Sequence, residues 1–441
     1  MKRIVIYLSF LAIPYVANAQ DTLRLQEAVA LALENNFGLK VAQNDLSTSE
    51  NNATIGNAGL LPSLDFTAGA NYSNTNLDVT LANQDPQTGE PIVVTANGAA
   101  ANGYNAGLNL NYTVFDGLGN VYNYRVLKTN ASLSQEQARD LTEQTLAQVI
   151  NTYYQVARLQ ATEQIARKSL EVSRERVNRL RNQQEFGTAN SLSVLNAEVD
   201  LNTDSVNVET AALNTVNARR DLATVMGIPL NQTFSLDPRV VFATNLDPQE
   251  LAQQALERNA NLTTAEINQQ LAELNLRVTQ AGYYPRLDVS AGYAYNRNNN
   301  APGNPVQNST TLGLNANASL NFNLFNGFQQ RTRVQNAQIA VLSSRERYQE
   351  ARLQVERDLL NAVASYRNSL RIFDLQQRSQ DAAQLNFERT EELYRLGQAT
   401  GLQFREAQLN LIQVENQIND LTYDIKQFET ELLRLSGTLM E

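Results

Sequence analysis

The sequence predicts an internally duplicated α+β membrane protein in which four β-strands per chain join very long α-helices. Three observations carry that fold class. The stretch Phe115 to Gly227 has a second copy. Four segments of about ten residues alternate apolar and polar positions, and one helical pattern runs on for some 65 residues without Pro or Gly after Gly119. A repeat is sought first because missing one misassigns the whole fold.

A shift of 210 residues lays Phe115-Asp116-Gly117 on Phe325-Asn326-Gly327 and Gly187 on Gly397. It also pairs Leu192 with Leu402, Ala197 with Ala407, Leu201 with Leu411, Leu222 with Leu432 and Gly227 with Gly437. Nearer the N-terminus the shift is 223. Glu27, Leu33, Asn36 and Leu39 fall on Glu250, Leu256, Asn259 and Leu262; Gly59, Pro62, Leu64 and Tyr72 fall on Gly282, Pro285, Leu287 and Tyr295. The first copy therefore carries an insertion of 13 residues between Tyr72 and Phe115. Rich in Asn, Gly, Ala and Thr, with Pro86 and Pro91, the segment Ser73 to Gly103 reads as a surface loop. The expected organisation is a leader over residues 1–19 and structural repeats over 20–240 and 241–441.

In chain order, Lys2-Arg3, an apolar run from Ile4 to Val16 and Ala17-Asn18-Ala19 make a cleavable secretory signal, cut before Gln20. The run is too short to stay in a bilayer as a helix. Leu25 to about Ala58 is helical, with a break near Asn35-Asn36-Phe37-Gly38, and Gly59-Leu60-Leu61-Pro62 ends it. Alternation then places strands at about 63–73 and 104–115, and in the second copy at about 286–296 and 310–325. Leu64, Phe66, Ala68, Ala70 and Tyr72 share one face; Leu312, Leu314, Ala316, Ala318 and Leu320 do the same, opposite an Asn-rich face. Outer-membrane barrel strands of ~9–11 residues look like this. So does a soluble antiparallel sheet packed on a core.

Long helices are expected over about 118–185 and 328–396, each followed by a returning helix, at about 190–226 and 401–436. Some 65 residues at 1.5 Å each span ~100 Å. Leu146, Val149, Tyr153 and Val156 form one seam, and Ala147, Ile150, Tyr154 and Ala157 lie beside it. A two-stranded coiled coil needs one seam; two suit a helix with a neighbour on each side, as in a closed cylinder. A coiled-coil rod is the alternative for the helices alone.

Composition excludes more than it selects. With no Cys and no His, the chain has no disulfide, thiol nucleophile or imidazole base, and most zinc or copper sites are ruled out. No cluster of nucleophile, base and orienting group appears, so the expectation is a protein that is not an enzyme and carries no metal or cofactor. A net charge of −10 argues against a nucleic-acid partner.

Four strands pose a closure problem, because lipid does not tolerate open sheet edges. Two chains would give an eight-stranded barrel filled by its own side chains. Three give twelve strands, wide enough for water if the Asn, Ser and Thr faces line the lumen.

Over essentially the whole mature chain the sequence resembles the TolC family of outer-membrane channel proteins. The carriers are the duplicated Gly59-Leu60-Leu61-Pro62-Ser63-Leu64 and Gly282-Tyr283-Tyr284-Pro285-Arg286-Leu287, the two Phe-[Asp/Asn]-Gly strand ends, and the helix tips. Those tips read Phe186-Gly187-Thr188-Ala189-Asn190-Ser191-Leu192 and Tyr394-Arg395-Leu396-Gly397-Gln398-Ala399-Thr400-Gly401-Leu402. The resemblance implies a homotrimer with a twelve-stranded barrel in outer-membrane lipid and a helical tunnel through the periplasm. It implies a periplasmic adaptor and an inner-membrane transporter as partners, in an efflux or secretion system. The residues expected to contact the adaptor are Gly187, Thr188, Ala189, Asn190, Leu192, Gly397, Gln398, Ala399, Thr400 and Leu402.

Some members of that family carry paired acidic residues inside the entrance, at positions matching Gln403 and Glu406; Ser193 and Asn196 are the first-copy equivalents. Only Glu406 is acidic here, so three copies would supply a single ring. The rival functions are a periplasmic structural or adhesive coiled coil and a duct dedicated to type I protein secretion.

Overall fold

The computed structural model describes residues 22–231, 234–237, 239–243, 246–300 and 306–440. The expected leader lies outside them. The elements in order are β1 (Thr22–Leu23), α1 (Leu25–Asn35), α2 (Phe37–Asn52), β2 (Ser63–Gln84), β3 (Pro91–Phe115), α3 (Gly119–Glu185) and α4 (Ser191–Met226). They continue with β4 (Ser235–Leu236), α5 (Pro248–Arg258), α6 (Ala260–Ala281), β5 (Arg286–Asn299), β6 (Asn308–Asn321), α7 (Gln329–Arg395) and α8 (Gly401–Ser436). No described helix is long and apolar enough to cross a membrane.

Two compact units cut across the sequence repeats. One joins residues up to Gln43 with Gln137–Thr263 and everything from Ala351; the other joins Asn44–Glu136 with Thr264–Glu350.

The first unit is helical and holds two cores built alike. Ala28 and Ala32 of α1 pack with Val149, Tyr153 and Val156 of α3 and with Leu222 and Met226 of α4. Leu251 and Ala255 of α5 pack with Leu359 and Tyr366 of α7 and with Leu432 and Leu435 of α8. Ala28 and Leu251 differ by 223 residues, Val149 and Leu359 by 210, so the duplication is a duplication of packing. The two α-helical breaks are also equivalent. Asn36 Nδ2 donates to the Val225 carbonyl (2.8 Å) while its Oδ1 accepts from Leu39 N (3.2 Å). Asn259 Nδ2 donates to the Leu435 carbonyl (2.9 Å), and its Oδ1 accepts from Leu262 N (3.2 Å). One amide thus caps a helix start and ties down the end of another, which Ala could do neither half of. β1 and β4 pair in parallel, and Tyr153 Oη donates to the carbonyls of Leu23 (2.9 Å) and Asp237 (3.3 Å) beside them. Burial pushes the neighbouring Tyr154 hydroxyl up to about 12.

The second unit carries an antiparallel sheet in the order β2-β3-β5-β6. Rows across it keep one chemistry: Phe66, Leu108, Tyr293 and Leu314 stand side by side, as do Asp65, Asn109, Gly292 and Asn315. Among the described residues, β2 and β6 each have one unpaired edge within the chain.

The segment Ser73 to Gly103 is not a loop. It is strand on both sides of a short turn, so β2 and β3 run far beyond the expected 63–73 and 104–115. Composition misleads there because the paired backbone positions are Val79 with Val94, Thr80 with Val93 and Asp78 with Thr95, strand-favouring Val and Thr diluted by Asn and Ala. Gly98, at φ +68°, donates its N–H to Asn76 Oδ1 (2.9 Å), next to a register shift between Thr75 and Leu77. The turn proper is Asp85 to Glu90: Asp85 Oδ1 accepts from Gln87 N (2.8 Å) and Gly89 N donates to the Asp85 carbonyl (2.9 Å). β5 also exceeds its expected end at 296, reaching Asn299. β6 occupies 308–321 rather than 310–325. Its pairing stops at Asn321 because the partner is Arg286, and the preceding Pro285 has no N–H to continue the ladder. Next to the paired ends of β5 and β6, Asn300 N donates to the Gln307 carbonyl (2.8 Å).

Gly227 has φ +69°, and a Cβ there would meet the Asn35 carbonyl at 2.5 Å; Gly187 has φ +76° with open space around it. Gly187→Ala should cost only the left-handed backbone term, about 1–2 kcal/mol. Gly227→Ala should cost more, because the α1–α4 junction must also open. Thermal unfolding of the two detergent-purified variants against wild type checks the ranking.

Candidate functional site

The two helix-turn-helix tips are built by the same local rules. At the first, Gly187 N donates to the Gln184 carbonyl (2.9 Å) and Thr188 N to the Gln183 carbonyl (2.8 Å); at the second, Gly397 N donates to Tyr394 (3.2 Å) and Gln398 N to Leu393 (2.8 Å). This is the glycine-terminated helix end in which a left-handed residue lets two donors reach back. Each returning helix then starts on a side-chain cap. Asn190 Oδ1 accepts from Ser193 N (2.8 Å), and Thr400 Oγ1 accepts from Gln403 N (3.3 Å) while Gln403 Oε1 accepts from Thr400 N (2.8 Å).

The tip residues singled out in the sequence therefore divide by task. Gly187, Gly397, Thr188, Gln398, Ala189 and Ala399 form the turns, and Asn190 and Thr400 are caps. Leu192 and Leu402 stand exposed, with Phe186 and Leu396, which the sequence reading left out of the site. Of the four constriction candidates, Ser193 gives its N–H to a cap and Gln403 closes a capping box. Asn196 and Glu406 are exposed. Glu406 lies on a groove of about 420 Å³ between α7 and α8 that is lined also by Asn386, Thr390, Gln398 and Asn410, and it makes no ion pair among the described residues.

Behind the tips lies a charged knot that the sequence reading missed. Arg405 of α8 donates to both oxygens of Asp204 on α4, Nη1 to Oδ2 (2.8 Å) and Nη2 to Oδ1 (2.9 Å). Ser173 of α3 donates to Asp204 Oδ2 (2.5 Å), Gln408 Oε1 accepts from Arg405 Nη1 (3.0 Å), and Gln408 Nε2 donates to Ser169 Oγ (3.1 Å). Arg176 reaches Asp200 Oδ2 at 2.7 Å alongside. Asp204, Arg405, Gln408 and Ser173 are all buried. One signal was in the sequence: Val194, Ala197, Asp204, Val208 and Ala211 are buried on one face of α4, so a carboxylate occupies a core-spaced position. Burial alone would push the Asp204 carboxyl up, but the hydrogen bonds from Arg405 and Ser173 and the Arg405 charge outweigh it and hold it below the usual range.

The sheet has the most diagnostic surface. Its apolar face is uncovered, with Phe66 69%, Leu314 76% and Leu320 67% exposed, so among the described residues no helix or second sheet packs on it. A soluble sheet would bury that face. The family model described as "Outer membrane efflux protein" matches residues 28–228 and 251–438.

This chain belongs to the outer membrane efflux protein family.

Outer membrane protein TolC of Escherichia coli strain K12 is 22% identical to it over 464 residues, spanning 100% of this chain and 87% of that protein. The pyoverdine export outer membrane protein OpmQ of Pseudomonas aeruginosa is 26% identical, spanning 88% and 79%. Among solved structures, the Campylobacter jejuni CmeC outer membrane channel superposes with a TM-score of 0.76 at 18% identity, covering 94% of this chain and 86% of that one. The Vibrio cholerae outer membrane protein VceC gives 0.74 at 17% identity, covering 95% and 97%. As a family member the protein is an outer-membrane exit duct of a tripartite efflux system, a passive conduit and not an enzyme.

Removing Arg405 strands a buried carboxylate. Arg405→Ala should therefore destabilise the helical unit by about 3–5 kcal/mol, read as a lower unfolding midpoint at pH 7. Because the folded carboxyl of Asp204 titrates below the unfolded value of about 3.9, its contribution is complete at neutral pH and disappears as pH falls below that value. A wild-type midpoint that drops in acid more steeply than that of Asp204→Asn checks the sign.

Proposed function

We propose that three copies of this chain close into one duct, with a twelve-stranded barrel above a helical tunnel whose entrance is formed by the tips. The observation that carries this is the sheet: one uncovered apolar face, one polar face and an unpaired edge at either side. Lipid satisfies the face but not the edges, whose N–H and C=O groups need partners that only another strand supplies. Four strands cannot close on themselves around water; twelve can.

Helix surfaces support the same reading. On α4, Leu192, Leu195, Val199, Val206, Leu213 and Val216 are exposed at spacings of three, four and seven, a complete unpartnered seam. A second copy is its occupant. The adaptor and inner-membrane transporter would then meet the duct at its tips, where Phe186, Leu192, Leu396 and Leu402 offer apolar contacts around Gly187 and Gly397. Glu406 would supply one acidic ring at the entrance, with Gln403 occupied in its cap.

In detergent, wild-type protein should have the mass of three chains by light scattering. Val199→Asp with Val206→Asp should shift it toward one chain and abolish conductance in planar bilayers; a wild type that stays monomeric removes the proposal. In the same bilayers Glu406→Gln should weaken cation selectivity several-fold, and unchanged selectivity would end the acidic-ring reading while leaving the duct intact.

A further inference from the structure

Where helices meet the sheet, charge departs from that of the whole chain. The first ten residues of α3 contain Arg125 and Lys128, the last eight of α6 contain Arg277, and the first ten of α7 contain Arg331 and Arg333; none of these stretches holds an acid, in a chain of net −10. Arg125 and Lys128 lie over the rings of Tyr122 (5.4 Å) and Tyr124 (5.7 Å), and Arg277 reaches only Gln280 (3.3 Å). None of the five makes an ion pair among the described residues.

Two of them open onto one cleft. A cavity of about 810 Å³ between α3, α6 and α7 is lined by Arg125, Arg277 and Arg345 with Leu274, Leu276 and Val341. The one acid there, Glu273, is already held by Arg345 (3.3 Å), so Arg125 and Arg277 remain without a counter-ion. Tyr122 of the cleft sits one helical turn from Leu118, and α6 ends at Ala281, whose carbonyl a Cβ on Gly117 would meet at 2.6 Å. The cleft is therefore directly below the strand-to-helix turn.

That turn is marked independently as apolar. Leu118 (φ 68°) and its repeat equivalent Phe328 (φ 64°) are the two non-glycine residues in the left-handed region among the described residues, and both are exposed. A left-handed backbone is costly for an ordinary residue, and Asn or Gly would suit water better. Tyr284 and Phe325 are exposed at the same level. Apolar and aromatic side chains at a strand end mark the lipid–water boundary.

We propose that the cleft between α3, α6 and α7 binds the headgroup of an anionic phospholipid of the membrane leaflet nearest the helices. Arg125 and Arg277 take the phosphodiester, and the exposed Leu118 and Tyr284, on the sheet side of them, meet the first carbons of the acyl chains. Guanidinium pairs suit a phosphate fork, and a basic cleft beneath an exposed apolar turn suits a lipid better than a free anion. The proposal rests on the sheet being embedded in lipid.

The test uses the full-length protein in detergent, with lipid retention read by native mass spectrometry on mixing with phosphatidylglycerol or phosphatidylcholine. Wild type should retain phosphatidylglycerol preferentially, and Arg125→Gln with Arg277→Gln should reduce that preference by about thirtyfold. A control with the same charge loss further along α7, Arg371→Gln with Arg378→Gln, should keep it. Equal retention of the two lipids by wild type, an equal loss in the control, or displacement by millimolar inorganic phosphate would overturn the proposal. So would a cleft variant with altered ion selectivity and intact lipid preference, which would put the cleft on the water path. Conductance of the cleft variant, measured in parallel, shows that it is folded and separates failure of lipid binding from failure of the duct.

Discussion

A sheet of four strands with a bare apolar face cannot exist alone in either of the solvents available to it. Water rejects the row of Phe66, Leu108, Tyr293 and Leu314, and hydrocarbon rejects the open backbones of β2 and β6. Everything else about the chain can be read as a response. The family assignment places the protein in an outer membrane, whose lipid would answer the first objection. Only strand-to-strand closure answers the second, and the exposed seam along α4 offers the helices the same remedy.

Duplication explains how so long a chain keeps its helices in register. The same amide, at Asn36 and Asn259, ties a short helix to the end of a returning one, and glycines at 227 and 437 let the backbones touch. The two copies have nevertheless diverged where their tasks differ. Tyr153 anchors the first core to the β1–β4 pair and has Val363 as its counterpart in the shift, whereas in the second core it is Tyr366, the counterpart of Val156, that donates to the Ala243 carbonyl (2.5 Å). The Asp204–Arg405 knot has no counterpart in the shift, since it joins a helix of one repeat to a helix of the other.

Most of the architecture was legible because periodicity survives in sequence. The alternation through Leu64, Phe66 and Ala68 and the unbroken helical run after Gly119 needed only period two and period 3.6. Composition was the weaker guide. Asn, Gly and Ala between Ser73 and Gly103 looked like loop, although a ribbon of two strands can be made of them when Thr and Val face each other across it. At the tips, Gly187 and Gly397 were legible from their positions, since a helix end needs a residue free to turn left-handed. Gln403 shows the opposite case: a side chain three residues past a threonine closes a cap, and that local duty was overshadowed by the question of charge. The Arg405–Asp204 pair spans 201 residues, and no local pattern announces a partner so far away.

The hairpin of β2 and β3 outlasts its neighbour: β5 ends at Asn299, opposite Asn102, while the hairpin continues to a turn at Asp85–Glu90. Past that level, among the described residues, the ribbon pairs only with itself, so β5 and β6 gain no hydrogen bonds from its last residues. A foreign peptide spliced in at Gln87–Thr88 would lengthen a turn without disturbing a ladder, much as an engineer adds to the free end of a mast. The same independence accommodates the extra 13 residues that the first repeat carries over the second.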